Sequence, residues 1–239
     1  MKKLNKNLTI LTNLILVGLF SIVFIVSFIP ESAVPIYGGK EIKAIYHGDT
    51  NNKNISLMFN VYENTSVVKG ILKELEKFNA KATFFVGGCW ADDNGEVLNE
   101  IKSSGHEIAN HGYFHKDHSK LDYKGNYEEI RLTGAIVNAL CGVQPTLFAP
   151  PSGSFSTTTL EVAYDLNYKV IMWTKDTIDW RDSDQNLIFT RATKNLKNGD
   201  FILMHPKEHT LKVLPRILEK YSELNFSCVT VSENILGKV

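Results

Sequence analysis

Apolar residues fall along this chain in two rhythms, and their alternation predicts the architecture. Runs of strand length recur at Ile55–Phe59, Ala82–Val86, Glu107–Ala109, Thr146–Phe148, Lys169–Trp173, Phe201–Met204 and Ser227–Val231. Short apolar runs bounded by polar and turn-forming residues mark strands of a buried parallel sheet. Between the first two, Val67, Val68, Ile71, Leu72 and Leu75 share the spacing of one helical face. Leu211, Leu214, Ile217, Leu218 and Tyr221 do the same near the end. Strand–helix alternation means parallel strands joined by helical crossovers. About seven such units predict an α/β barrel, closed or incomplete, rather than an open doubly wound sheet. No G-x-G-x-x-G or P-loop follows any strand, so nothing supports a nucleotide site.

A different pattern precedes these units. Lys2, Lys3 and Lys6 stand ahead of Leu8–Ile29, an uncharged stretch of about 22 residues, long enough to cross a bilayer's hydrocarbon core as one helix. The lysines before it and Glu31 after it place residues 1–7 in the cytoplasm and the rest of the chain outside. The expectation is a single N-terminal transmembrane anchor over 8–29 in the cell membrane. The alternative is a cleaved leader and a secreted domain, with Glu31 standing where a small residue is wanted near Ser32 and Ala33. Pro30, Pro35 and Gly38-Gly39 make 30–54 a linker and lead-in segment, leaving 55–239 as the globular domain.

Composition narrows the partners. The chain has 239 residues, 44% of them hydrophobic, enough for one sizeable core. Lys and Arg number 26, as do Asp and Glu, and this balance argues against a nucleic-acid partner, which calls for a basic excess. Cys89, Cys141 and Cys228 are widely spaced and match neither a zinc cluster nor a disulfide framework; they read as small buried apolar residues.

The chemically interesting residues sit just after strands: Asn60 and Glu63, His111 and His115, Pro150-Pro151, Asp176 to Trp180, and His205. In parallel α/β folds the loops at the carboxyl ends of strands converge on one face, where sites form. His111 and His115 are spaced i, i+4, so a helical turn would aim both rings at one ion, and neutral imidazole suits zinc. Two exposed histidines are the other reading of that spacing. His118 is a further candidate ligand or a solvated loop residue, and the loop reading is the expectation. His205 follows the run FILM and precedes Pro206; an imidazole there suits a proton donor, or simply caps a core strand. Asp176 and Asp179 follow YKVIMW, and a carboxylate beside an imidazole fixes its tautomer and supports its charged form. Trp180 offers a face for a sugar ring or fills a core.

In order, GHEIANHGYFH, FAPPSG, DTIDW and ILMH, framed by KATFFVGG and by TLKVLPRILEKYSEL with FSCVTVSE, resemble the motifs of the polysaccharide deacetylase family. That family, also described as the NodB homology domain or carbohydrate esterase family 4, removes N-acetyl groups from chitin-like and peptidoglycan chains. The resemblance covers roughly Ile55 to Ile235. It implies a distorted (β/α)7 barrel and a divalent metal, often zinc, held by two histidines and an aspartate. It also implies a neighbouring aspartate as general base and a late histidine as general acid. By position, His111 and His115 match the metal histidines, His205 the acid, Asp179 the carboxylate orienting it, and Trp180 the aromatic wall. Pro150 and Pro151 match the substrate-side turn.

The match fails where the chemistry starts. The family's T-F-D-D stands here as Met58-Phe59-Asn60-Val61, so the base position is an amide and the metal-aspartate position a valine. The arginine that pairs with the base is Ala149, and with Asn60 opposite it an arginine would be a partly buried charge without a partner. Gly112 replaces a serine or threonine. Glu63 is the candidate substitute ligand, with Asp117 and Glu107 more remote. The expected protein is a membrane-anchored deacetylase-type hydrolase acting outside the cytoplasm on cell-wall glycan, with impaired or altered activity. A non-catalytic glycan binder, stacking sugars on Trp180, Phe148 and Phe155, is the alternative. A third reading is an anchored interaction platform for wall or sporulation proteins.

Overall fold

The computed structural model describes residues 10–19, 36, 37 and 39–236. The chain divides into two compact units, residues 1–41 and 42–239. In the first, residues 10–19 are helical and expose their large apolar side chains, while Ile36–Tyr37 and Lys40–Glu41 pair antiparallel. Among the described residues no helix is long and apolar enough to cross a membrane. The remainder of the expected 8–29 span, and the cytoplasmic 1–7, lie outside the described residues.

In the second unit the strands and helices alternate as the apolar pattern predicts. They are β1 (Asn54–Val61), α1 (Thr65–Lys77), β2 (Ala82–Val86), α2 (Gly88–Asp92), α3 (Gly95–Ser103), β3 (Glu107–Asn110), α4 (Tyr123–Cys141) and β4 (Leu147–Phe148). Then come α5 (Thr157–Asp165), β5 (Lys169–Val170), β6 (Lys175–Asp176), α6 (Gln185–Thr193), β7 (Phe201–Met204), α7 (Glu208–Glu223), β8 (Ser227–Cys228) and α8 (Val231–Leu236). One parallel eight-stranded sheet runs in the order β5-β4-β3-β2-β1-β7-β6, with β8 added along the start of β1. It is curled with helices packed on it, as in a distorted (β/α) barrel, and no ladder joins β5 to β6.

Alternation along β1 sets the two layers of the core. Leu57, Phe59 and Val61 point outward and pack with Val67, Val68 and Ile71 of α1. Met58 points inward to Phe85, Ala109, Ala149, Phe201 and Leu203. Both faces of β1 are buried, so its apolar run is nearly continuous. α8 covers the amino-terminal end of the curl: Val231 N–H donates to Thr83 Oγ1, and Glu107 accepts from the backbone of Ser232. The carboxyl ends of the strands are left open.

Two local expectations change. Residues 42–54 of the lead-in segment belong to this unit: Ile45 bridges Ile171, and Gly48 N–H donates to Gly199 O at 2.7 Å. The strand expected over Lys169–Trp173 ends at Val170 apart from that bridge, and a second short strand, β6, follows it. Ladder partners rather than local apolarity define β6: Lys175 pairs with Ile202 and Asp176 with Leu203.

Candidate functional site

At the open end a pocket of ≈ 580 Å³ is lined by Asn60, Tyr62 and Glu63 after β1, His111 and His115 after β3, and Ser152 after β4. Trp173 follows β5, Asp176 ends β6 and Trp180 follows it, and Leu203, His205, Pro206 and Lys207 complete the wall at β7. Five segments remote in sequence thus meet at one mouth, as expected for parallel strands with ligand loops at their carboxyl ends.

His205 and Asp179 form the best-defined part of the wall. Asp179 is 1% exposed. His205 Nδ1–H donates to Asp179 Oδ1 at 2.8 Å, while Asp179 Oδ2 accepts from His205 N–H at 2.8 Å and Thr210 Oγ1 at 2.7 Å. His209 Nε2 donates to the Asp179 carbonyl. The imidazole is therefore held in one tautomer, with Nε2 on its pocket side. Thr210 escaped the sequence reading; its signal is the position one turn into the helix that follows His205.

His111 and His115 meet with ring centroids 5.2 Å apart, at 71°. They do so without the expected helical turn. Residues 111–117 form an irregular loop in which Gly112 (φ 74°) and His115 (φ 55°) both take left-handed backbone. His111 is buried, and its Nδ1–H donates to the Ala149 carbonyl at 2.8 Å, so in the neutral ring Nε2 carries the lone pair. Burial, then the neighbouring His115, pushes the His111 pKa down to about 3, and burial lowers His115 as well. Tyr62 packs edge-on to His115 and donates its hydroxyl to the Tyr113 carbonyl.

His118 is a correction: it is fully buried rather than solvated. Its Nδ1–H donates to Asn126 Oδ1 at 2.7 Å, and its Nε2 has no partner among the described residues. A side chain at position 112 would meet that nitrogen, since a Cβ on Gly112 would lie 3.1 Å from His118 Nε2. Pro150 and Pro151 are buried and stand outside the pocket lining, where Ser152 (φ 56°) takes the surface. Phe148 is wholly buried against His118 and unavailable for stacking, whereas Trp180 is 54% exposed at the mouth.

A divalent metal held by three protein ligands does not fit these residues. The two imidazoles are suitable, His111 having the carbonyl partner typical of ligating histidines. Asp176 and Glu63 line the same pocket, but among the described residues no carboxylate converges on the two rings as a third ligand. Val61 packs in the outer apolar layer, on the face of β1 opposite to Asn60. Glu63 pairs with Lys207 across the mouth. Asp117 accepts from Ser154 and Ser119 and pairs with Lys120, and Glu107 lies at the far end of β3, bound to Thr83 and Ser232. Among the described residues no three His, Cys, Asp or Glu side chains converge as a metal site would require.

Comparison with known proteins agrees with the fold. The polysaccharide deacetylase family model matches residues 47–171, more than half of the chain. The uncharacterised protein YlxY of Bacillus subtilis is 34% identical over 189 residues, covering 79% of this chain and 59% of that protein. Peptidoglycan-N-acetylmuramic acid deacetylase PdaC of Bacillus subtilis is 30% identical over 186 residues, 77% of this chain and 39% of that enzyme. The chain thus spans less than two thirds of the length of either relative. Among solved structures, BA3943 of Bacillus anthracis, a CE4 family pseudoenzyme, superposes with a TM-score of 0.79 at 30% identity, over 82% of this chain and 70% of that one. A mutant of BA3943 with restored enzymatic activity matches equally well, with a TM-score of 0.79. The chain belongs to the polysaccharide deacetylase family.

Proposed function

We propose that this chain is a hydrolase of the polysaccharide deacetylase type, directed at the N-acetyl groups of cell-wall aminosugar polymers, with impaired turnover. One observation carries this: the pocket keeps a complete proton-donating half beside an incomplete water-activating half. His205, with Nδ1–H on Asp179, is placed to protonate a departing amine, and Asp179 supports the imidazolium. Asn60, at the base position, is an amide without useful basicity. General-base assistance is worth roughly 10²–10⁴-fold, so its loss alone slows hydrolysis by that factor, and the absent metal carboxylate slows it further. The likeness to peptidoglycan deacetylases supports the glycan, and the likeness to a pseudoenzyme supports the impairment.

The reading extends to location. The uncharged run over 8–29 with lysines ahead of it supports a membrane anchor, residues 1–7 inside and the domain outside, where peptidoglycan lies. A balanced charge supports no nucleic-acid partner.

The test is acetate release by the full chain from peptidoglycan and from chitooligosaccharides. Slow release abolished by His205→Ala supports the enzyme. No release together with retained glycan binding would leave a non-catalytic binder.

A further inference from the structure

The loop that brings His115 to the pocket is not held there by side-chain burial. His115 takes left-handed backbone (φ 55°), which is unfavourable for a residue with a Cβ, and its ring lies on the pocket wall rather than in the core. Phe114 is 55% exposed, and its ring contacts Tyr113 and Lys116 of the same loop. Lys116 is exposed as well. The flanks are secured: the Tyr113 carbonyl accepts from Cys89 N–H at 3.1 Å and from the Tyr62 hydroxyl at 2.9 Å, and His118 is fixed by Asn126. Residues 114–116 need a hold of their own, and α4 supplies one. Asn126, Glu129, Ile130, Thr133 and Val137 lie on the buried face of this helix, and Glu129 is the one charged residue on it, 3% exposed. Its Oε2 accepts Phe114 N–H at 2.7 Å, and its Oε1 pairs with Lys116 Nζ at 3.2 Å, so the two contacts straddle His115. A Cβ on Gly112, where the loop first turns left-handed, would lie 3.4 Å from the same Oε2. A carboxylate sealed from water requires such partners, so helix and loop fix each other.

We infer that Glu129 is the positioning residue of the histidine loop: by holding Phe114 N–H it sets the left-handed turn at His115 and places that ring against those of His111 and Tyr62. Glu129 stands outside the pocket lining and acts through the loop. The backbone hydrogen bond carries the role. The ion pair adds little, because the Lys116 side chain is 51% exposed and its attraction is screened by water. This role does not depend on the reaction proposed for the pocket.

The experiment is NOE spectroscopy of the full chain with isotope-labelled histidine, reading the cross-peaks from the His115 ring to the rings of His111 and Tyr62, with a urea midpoint measured alongside. The ring centroids stand 5.2 and 5.1 Å from that of His115, so the parent should show both cross-peaks. Glu129→Gln keeps an oxygen acceptor for Phe114 N–H without the charge, and Lys116→Met removes the ion pair; both variants should retain the cross-peaks. Glu129→Ala should lose both. A carboxylate that merely stabilised the fold would lower the midpoint on removal and leave the cross-peaks in place. Where the alanine variant does not fold, Glu129→Met takes its place, nearly the same in shape and without an oxygen acceptor, and the same loss is expected. Cross-peaks retained in a folded alanine or methionine variant, lost in the glutamine or Lys116 variant, or absent from the parent would overturn the inference.

Discussion

Asp179 accepts three hydrogen bonds on two carboxylate oxygens, from the backbone and ring of His205 and from Thr210, in a site sealed from solvent. Asp179→Ala leaves those donors unsatisfied and is expected to lower the unfolding free energy by about 2–4 kcal/mol. Urea denaturation measures it, and a loss under 0.5 kcal/mol would mean that the loop before α7 is held by other contacts. His106 makes a separate prediction. Burial, helped by the charge of Lys81, lowers its pKa from 6.5 to about 4, and its Nδ1 accepts the Ala82 N–H. The folded protein keeps this ring neutral while the unfolded chain takes up the proton first. Its stabilising contribution is thus complete above about pH 6.5 and declines as pH falls toward 4, by up to ~1.4 kcal/mol per unit. The imidazole of His106 should titrate near 4 by NMR; a midpoint near 6.5 would contradict its burial. At this scale the sequence exposed the identities that matter, including the absent carboxylates at 60 and 61. It did not expose His118, whose burial depends on Asn126 and Phe148 arriving from other elements.

The strands that were legible owe it to apolar runs buried on both faces: Ala82–Val86 and Phe201–Met204 stand where the pattern places them. β6 was not legible, because two polar residues become a strand only through the ladder that β7 offers. The i, i+4 spacing of His111 and His115 misled for a related reason. Their proximity comes from left-handed backbone at Gly112 and His115, which spacing does not encode. The lead-in segment was equally silent, and its contact makes a test. A Cβ on Gly199 (φ 82°) would lie 2.8 Å from Gly48 O and 2.9 Å from Asp49 O, both backbone atoms that cannot step aside cheaply. Gly199→Ala should destabilise by more than ~1 kcal/mol, lowering the thermal midpoint. An unchanged midpoint would show that the lead-in segment is not packed on the loop before β7.

Across the molecule, parallel strand polarity explains why residues from 60 to 207 reach one mouth, and that much followed from strand–helix alternation alone. What alternation could not convey is the state of the chemistry once assembled. The dyad is complete, the imidazole pair is present, and the carboxylates that would complete a metal site and a base are an amide and a buried valine. An arginine at 149, which the family resemblance implies, would find no charged partner at 60, where the side chain is an amide. Restoring all three should therefore act as a unit. Asn60→Asp, Val61→Asp and Ala149→Arg together rebuild the missing half, with the new aspartate at 61 required to leave the outer apolar layer for the pocket. Acetate release from peptidoglycan, compared between the parent chain and this triple variant, is the most direct measurement. The parent should be slower by at least roughly 10²–10⁴-fold, the share of the base alone. A parent chain that releases acetate as fast as a folded triple variant would contradict the division of the pocket into a kept acid and a lost base.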